Sequence, residues 1–283
     1  MNRAENDRQD AVERLLQAGS KEVWIAMMTA ELGKKKDIQE VLNRHAVGTQ
    51  SAAETPLTLP AMVMCAAQRG LIDTAVTWIG AGGDVNATGA DPGGNKVTML
   101  MLASNGGHLQ LVDTLIGFGR ASIDFKTARD KPSAIVLATA RGHKAIVQRL
   151  CDAGSEDLFH AMVRAEQHDR VPIINVLSTH IKKVQASRWS GEQLNSMAVA
   201  AAEGLEATVL AWIEGGGSVD ATYRCENGVK DVTLLHFACG DNQPSIVDLL
   251  IKHGADTNLQ DSGGDSPLMT SAFQGHASIV SRL

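Results

Sequence analysis

The feature that most constrains this chain is a glycine, or a residue standing in for one, that recurs every 27 to 38 residues. These terminating positions are Gly33, Gly70, Gly107, Gly142, Asp169, Gly204, Asn242 and Gly275. In most segments a second marker follows twelve residues later, at Gly82, Gly119, Gly154, Gly216 and Gly254. Because two markers keep a fixed phase along the chain, the sequence indicates an array of repeated units.

The stretch Thr233–Asn258 indicates what one unit folds into. Thr233 is a helix-capping residue, since its hydroxyl accepts a hydrogen bond from a free N–H of the first turn. Two apolar stripes at helical spacing follow, the first formed by Leu235, Ala238 and Cys239 and the second by Ile246, Val247, Leu249 and Leu250. Gly254 then ends the second helix. The pattern predicts a helical hairpin that needs similar neighbours to bury its apolar surface.

These segments resemble the ankyrin repeat, a unit of ~33 residues with a turn, two helices and a T-P-L-H-x-A signature. The best matches are Ser266-Pro267-Leu268 with Gly275-His276, Thr233-Leu234-Leu235-His236 with Gly254-Ala255-Asp256, Gly107-His108, Gly142-His143, and Gly82-Gly83-Asp84-Val85-Asn86. The resemblance runs from about Ala11 to Leu283. It implies an all-α ankyrin-repeat solenoid of stacked helix-turn-helix units with β-turn or finger loops.

We expect a partial or capping helix within residues 1–19 and an array of about eight units over 20–283. The first full unit, about Lys21–His45, lacks the signature. The run Thr55–Thr58 looks like a signature, but Gly70 lies fifteen residues after Thr55, where nine are required. We therefore predict that this unit's first helix begins near Pro60 and that the run belongs to a loop.

Two further units depart from the pattern. The fifth, within 155–192, lacks the Thr-Pro start and has Asp169 and Ile181 where glycines belong, so it is the expected boundary if the array has two parts. The last, 261–283, stops midway through its second helix. A stack that ended there would expose an apolar face, and we expect the natural chain to continue past Leu283.

Composition limits the function classes. The net charge of −6 disfavours sequence-independent nucleic-acid binding, which needs a basic surface. The four cysteines form no paired motif and are expected to be reduced thiols. The sequence has no apolar run of membrane-spanning length, and its polar start does not resemble a signal peptide. We expect a monomer in the cytoplasm, or in the nucleus, that binds no nucleic acid and inserts in no membrane.

No residue pattern predicts catalysis, a cofactor or a metal. Three of the nine histidines follow a terminating position and His236 fills a signature position, so we expect them to bond backbone groups between repeats. Their spacing does not match a metal site. The segment Gly89–Thr98 lacks the ending of a phosphate loop and is interpreted as a long finger. The basic runs at Lys34–Lys36 and Lys182–Arg188 are interpreted as solvated helix ends. We expect no enzyme activity.

Asn258 is a possible modification site. With Asp256 two residues before it and Leu250 eight before it, Asn258 resembles the asparagine that is hydroxylated in many ankyrin arrays. Asn86 with Asp84 matches in part. The simpler interpretation is that asparagine shapes the finger turn through bonds to the backbone.

The resemblance places the two residues before each terminating position on a concave, partner-binding face. Two fingers, Asp91–Val97 and Tyr223–Val232, are also about four and five residues longer than the repeat requires, and extra loop length often carries specificity. The predicted partner-binding residues are Gln68, Arg69, Asn95, Lys96, Asn105, Arg141, His168, Glu203, Tyr223, Arg224, Asp241, Phe273 and Gln274.

These predictions favour an interaction scaffold or adaptor that holds a partner protein on the concave face and fingers. The alternative is a regulatory or substrate-recruiting ankyrin domain of a longer enzyme whose catalytic part lies outside this chain. A third possibility, a structural spacer, predicts no binding by the concave face.

Overall fold

The computed structural model describes residues 23–36, 38–39, 42, 58–126, 131–184, 191–224 and 228–283. The chain divides into two compact units, unit 1 (Met1–Gly154) and unit 2 (Ser155–Leu283). The division coincides with the start of the irregular segment 155–192. The capping helix predicted within residues 1–19 and the loop residues Thr55–Leu57 lie outside the described ranges, and the predicted division into about eight units stays a prediction.

Unit 1 consists of helical hairpins. Its helices within the described ranges are α1 (Val23–Leu32), α2 (Ala61–Arg69), α3 (Ile72–Gly80), α4 (Met99–Gly106), α5 (Leu109–Gly117), α6 (Ala134–Arg141) and α7 (Lys144–Asp152). Between α3 and α4, strands β1 (Gly89–Ala90) and β2 (Lys96–Val97) pair antiparallel, with Gly89 opposite Val97. The start of α2 at Ala61 confirms the predicted start near Pro60.

Unit 2 has the same organisation. The helices among its described residues are α8 (Leu158–Gln167), α9 (Val171–Ile181), α10 (Gly191–Glu203), α11 (Glu206–Glu214), α12 (Leu234–Gly240), α13 (Pro244–Lys252), α14 (Pro267–Phe273) and α15 (Ala277–Val280). Strands β3 (Thr222–Tyr223) and β4 (Val232–Thr233) pair antiparallel between α11 and α12. The irregular segment thus contains an ordinary hairpin, α8 and α9, followed by α10.

Within each unit the helices form two layers. The first helices of successive hairpins (α1, α2, α4 and α6 in unit 1; α8, α10, α12 and α14 in unit 2) pack on one another and are called inner helices. The second helices (α3, α5 and α7; α9, α11, α13 and α15) also pack in sequence and are called outer helices. This arrangement confirms the predicted all-α stack of hairpins.

The terminating positions have the backbone conformation that the glycine pattern predicted. Gly70, Gly107 and Gly142 have φ between 72° and 82°, where a side chain is strained. Asp169 and Asn242 adopt the same left-handed region at 52° and 54°. The marker in the first unit was wrong by one residue, because Lys34 is left-handed there, at φ 53°, and Gly33 is not.

The unit from Thr233 onward forms the capped hairpin that was expected. The Thr233 hydroxyl accepts from the backbone N–H of His236, and the Thr233 N–H donates to His236 Nδ1 at 3.2 Å. Leu235, Ala238 and Cys239 are fully buried, as their stripe predicted. The hairpin is therefore stabilised by a reciprocal cap at its start and by burial along its length.

Two glutamates cap an outer helix of the following hairpin. Glu31, at the end of α1, accepts from the backbone N–H groups of Asp73 and Thr74 at 3.0 Å, in the first turn of α3. In unit 2, Glu166 accepts from the N–H groups of Ala207 and Thr208 at 2.9 Å, in the first turn of α11. Each carboxylate also accepts from the threonine hydroxyl. A carboxylate at a helix N-terminus satisfies free donors and complements the helix dipole, so these contacts join neighbouring hairpins.

Two tryptophans pack an outer helix against the finger that follows it. Trp78 in α3 and Trp212 in α11 are 1% and 3% exposed. A Cβ placed on Gly83 or Gly217 would lie within 2.5 Å of the respective indole ring. The finger backbone therefore approaches each ring at a distance that only glycine permits.

Removal of the Glu166 cap tests its contribution to stability. Glu166→Ala leaves the N–H groups of Ala207 and Thr208 without their acceptor, and we expect the free energy of unfolding to fall by about 1–2 kcal/mol. Glu214→Ala is the matched control, because it removes only an exposed ion pair with Lys182 and should change stability by less than about 0.5 kcal/mol. Urea titration followed by circular dichroism measures both variants. Equal effects would contradict the capping role.

Glycine substitutions test the approach to tryptophan. In Gly217→Ala the new methyl group would lie 2.2 Å from Trp212 Cε2, and we expect a loss of about 1–3 kcal/mol. Gly117→Ala at the end of α5 has no neighbour within 4 Å and should stabilise by about 0.5–1 kcal/mol. Thermal melting of the two variants should therefore shift in opposite directions, and a rise for Gly217→Ala would refute the close contact.

Candidate binding surface

The ends of the inner helices are bonded to the following hairpin through their backbone. His108 Nε2 donates to the carbonyl of Gln68 at 2.8 Å, and His276 Nε2 donates to that of Gly240 at 3.0 Å. The other two bonds of this kind run from His143 Nε2 to Asn105 O at 3.3 Å and from Gln243 Nε2 to Ala202 O at 2.8 Å. Each acceptor lies two positions before a left-handed residue. The backbone at the ends of α2, α4, α10 and α12 is therefore held in place by the next hairpin.

The expectation that histidines bond the backbone between repeats is confirmed for His108, His143, His236 and His276. His236 Nε2 donates to Asp265 O at 3.0 Å while its Nδ1 accepts from Thr233 N, which places the ring proton on Nε2. One imidazole thus caps its own helix and bonds the next finger.

The unit 1 inner face is defined by Cys65, Gln68, Arg69, Asn105 and Arg141. Gln68, Arg69 and Arg141 are exposed, and Asn105 is half-buried. Arg141 Nε donates to Asn105 Oδ1 at 3.0 Å, so the side chain lies along the row of inner-helix ends. Both charged residues of this face are arginines, and the surface is basic.

The unit 2 inner face is defined by Val199, Glu203, Phe237, Asp241 and Phe273. Glu203 and Asp241 are exposed acids, and Phe273 is 90% exposed. Gln274 next to Phe273 and His168 at the end of α8 are also exposed, and Gln167 Nε2 donates to Glu203 Oε2 at 2.6 Å. The predicted binding residues of this unit therefore lie at exposed ends of inner helices, with the opposite charge from unit 1.

The longer finger of unit 2 differs from its prediction at Tyr223. The Tyr223 side chain is 7% exposed and packs edge to face on Phe237, with ring centroids 5.7 Å apart. Burial also raises the pKa of its hydroxyl. The ring therefore stabilises the finger against α12 and is not available to a partner. Arg224 beside it is exposed.

The finger of unit 1 is a tight antiparallel turn. Asp91 accepts from the backbone N–H of Asn95 at 2.8 Å and from its side-chain amide. These hydrogen bonds hold the pKa of Asp91 below its ordinary value, because they favour the ionised carboxylate. Asn95 is consequently committed to the turn, whereas Lys96 is exposed and accessible.

Neighbouring fingers are bonded to each other. Asn86 Oδ1 accepts from Ser122 N at 2.6 Å, and its Nδ2 donates to Arg120 O at 2.7 Å. In unit 2 the Asp220 carboxylate accepts from Asp256 N at 3.0 Å. The side chain of Asn86 thus has a structural role between fingers.

Asn258, the possible hydroxylation site, has an exposed side chain. Its backbone N–H donates to Asp256 Oδ1 at 2.9 Å, so the Asp256 carboxylate makes the side-chain-to-backbone bond of this finger turn, which was expected from the asparagine.

Sequence analysis missed one row of the surface. This row consists of Cys65, Val199 and Phe237, each of which lies five positions before a residue in the left-handed region. The two predicted binding positions of each helix follow three and four residues later, so they lie on the same helix face. Val199 is 42% exposed, and Cys65 and Phe237 are half-buried. These residues give the inner faces an apolar part. The fixed spacing from the terminating residue could have identified them.

Within the described ranges, no group of three or more His, Cys, Asp or Glu side chains is placed to hold a metal ion. In the same part of the chain, none of the helices combines the length and apolar character that a membrane crossing requires.

The chain belongs to the ankyrin-repeat family. Residues 63–158 and 197–283 match the family described as "Ankyrin repeats (3 copies)". Ankyrin repeats are in general protein–protein interaction modules and are typically non-catalytic.

Two known proteins show how far this similarity extends. The ankyrin repeat and KH domain-containing protein mask-1 of Caenorhabditis elegans is 26% identical over 288 residues, which cover 97% of this chain but only 9% of that protein. The crystal structure of the human ASB11 ankyrin repeat domain covers 79% of this chain and 98% of its own, with a TM-score of 0.51 and 21% identity. The second similarity supports the fold alone.

Cysteine alkylation tests the placement of the unit 1 inner face. Burial raises the pKa of Cys151 and of Cys239 to about 12, whereas Cys65 is half-buried on the inner face. Because the thiolate is the reactive form, we expect iodoacetamide at mildly alkaline pH to modify Cys65 before Cys151 and Cys239. Mass spectrometry of peptides from briefly treated native protein measures the order, and Cys225, outside the described ranges, is followed separately. Equal labelling in native protein would contradict this placement.

Proposed function

We propose that this chain is an interaction scaffold or adaptor that binds a partner protein on its inner faces and on the adjoining fingers. The observation that carries the proposal is the row of exposed inner-helix ends whose backbone carbonyls are bonded by His108, His143, Gln243 and His276. A surface whose backbone is already held loses little conformational entropy on binding. The proposed setting is the cytoplasm, with the nucleus as an alternative.

The chemistry of the exposed side chains supports the same function. Arg69, Arg141 and Phe273 belong to the residue types that most often dominate protein interfaces. Phe273 is 90% exposed, and covering its ring would contribute roughly 1.5–3 kcal/mol. An exposed aromatic ring is favourable for an interface and costly in a structural spacer. The alternative of a recruiting domain within a longer enzyme would use these same surfaces.

Charge reversal on unit 1 tests the proposal. In a pull-down followed by mass spectrometry, we expect Arg69→Glu/Arg141→Glu to lose, by about tenfold or more, at least one partner that the wild type captures. The reason is that a partner segment complementary to two arginines would meet two like charges.

The matched control is Lys183→Glu/Lys252→Glu, which makes the same charge change at two exposed lysines, one just after outer helix α9 and one at the end of outer helix α13. This variant should capture the same partners as the wild type. Undiminished capture of every partner by the Arg69/Arg141 variant would refute binding through the unit 1 inner face.

A further inference from the structure

The two units repeat the same contacts about four hairpins apart. Of the 23 residues from 66 to 88, twelve are identical to those 134 positions later. The contacts of Glu31, Trp78 and Asn86 recur at Glu166, Trp212 and Asp220, which lie 134 or 135 positions further along. The ion pair of Arg149 with Asp113 likewise recurs in that of Arg282 with Asp248. The second unit is therefore a structural counterpart of the first, built from the same joints.

The exposed inner faces do not share this similarity. Glu203 in unit 2 corresponds to Arg69 in unit 1, and Asp241 corresponds to Gly106, since each of these residues directly precedes a residue in the left-handed region. Phe273 corresponds in the same way to Ala140, two positions before the left-handed residue. The joints between hairpins are thus alike, while the surface available to a partner changes from basic to acidic and gains an aromatic ring.

Small residues separate two exposed apolar residues of the unit 2 inner face. Ala202 and Gly240 precede the acidic positions of α10 and α12, and a Cβ on Gly240 would have only Thr270 Cγ2 nearby, at 3.6 Å. Val199 on α10 and Phe273 on α14 lie on either side of α12 and are 42% and 90% exposed. The surface from Val199 to Phe273 is called the trough, and it offers two separate apolar contacts to a partner.

The charge around this trough is acidic from α10 to α14. Glu203 and Asp241 are exposed at its edge, and the neighbouring fingers add exposed Asp256 and Asp265. The described cations of these fingers are Arg224 and Lys230, while Arg164, His168 and Arg170 lie further back, at α8 and the start of α9. The acids therefore outnumber the cations beside the trough.

We propose that the unit 2 inner face, from α10 to α14, binds a protein segment in which basic side chains alternate with large apolar ones. The basic residues pair with Glu203 and Asp241, and separate apolar residues cover Val199 and Phe273. This inference rests on the proposed function and specifies the partner chemistry of one of its surfaces. The basic inner face of unit 1 does not suit the same segment, so the two units select different segments.

Fluorescence anisotropy of the full chain with a labelled short peptide of lysine and leucine tests this inference. The comparison peptide has glutamate in place of every lysine. We expect the lysine peptide to bind, and Glu203→Gln/Asp241→Asn to weaken it by about tenfold. Phe273→Ala should also weaken it by about tenfold, since an exposed ring is the apolar anchor. All substituted side chains are exposed, and circular dichroism verifies that each variant remains folded.

The matched control is Glu214→Gln/Asp248→Asn, which removes two exposed acids from outer helices α11 and α13. It should leave the affinity for the lysine peptide unchanged. Equal weakening by this control would show attraction to net charge alone and overturn the inference, as would equal binding of the glutamate peptide. Sedimentation velocity adds one further outcome: if the wild type self-associates and Phe273→Ala abolishes this, the occupant is a second copy and the inference is wrong.

The two experiments distinguish a failure of the scaffold function from a failure of the partner chemistry inferred for unit 2. If the lysine peptide does not bind but the Arg69/Arg141 variant loses a captured partner, the partner chemistry inferred for unit 2 is wrong and the scaffold function stands. If the lysine peptide binds unit 2 as described while the Arg69/Arg141 variant captures every partner, the inference for unit 2 stands and binding through unit 1 falls.

Discussion

The structure depends on polar side chains that reach from one hairpin to backbone groups of its neighbour. A hairpin of two short helices exposes apolar surface on both sides, and stacking buries that surface without fixing a register. The bonds from His108 to Gln68 O, and from the Glu31 and Glu166 carboxylates to helix N-termini, are directional, because donor and acceptor must meet at about 2.9 Å. They set the position of each hairpin relative to the previous one within a unit.

The same bonds connect stability with binding. Their carbonyl acceptors at Gln68, Asn105, Ala202 and Gly240 belong to the residues just before the inner helices end. The exposed side chains beside them are therefore presented from backbone that is already bonded. The side chains at these positions can vary without disturbing the joints, which is why units with similar joints have inner faces as different as Arg69 and Glu203.

Much of the fold could be predicted from sequence, because it follows from local rules. Left-handed helix ends favour glycine, so the markers located most hairpins, and the exception at Lys34 arose because an adjacent glycine did not have the left-handed conformation. The roles of Tyr223 and of the capping glutamates could not be predicted in this way, since both depend on residues brought close only by stacking. The exposed positions at inner-helix ends were predictable by spacing, while the pairing of Arg141 with Asn105 required the structure.

Hydrogen–deuterium exchange of the chain with and without a captured partner tests the central claim most directly. That claim is that bonded inner-helix ends, with their fingers, form the binding surface. The account predicts slower exchange on binding in peptides that contain the bonded ends of inner helices, such as those around Arg69, Asn105, Glu203 or Asp241, and little change in the outer helices. Slower exchange confined to the outer helices α3, α5, α7, α11 and α13 would contradict it.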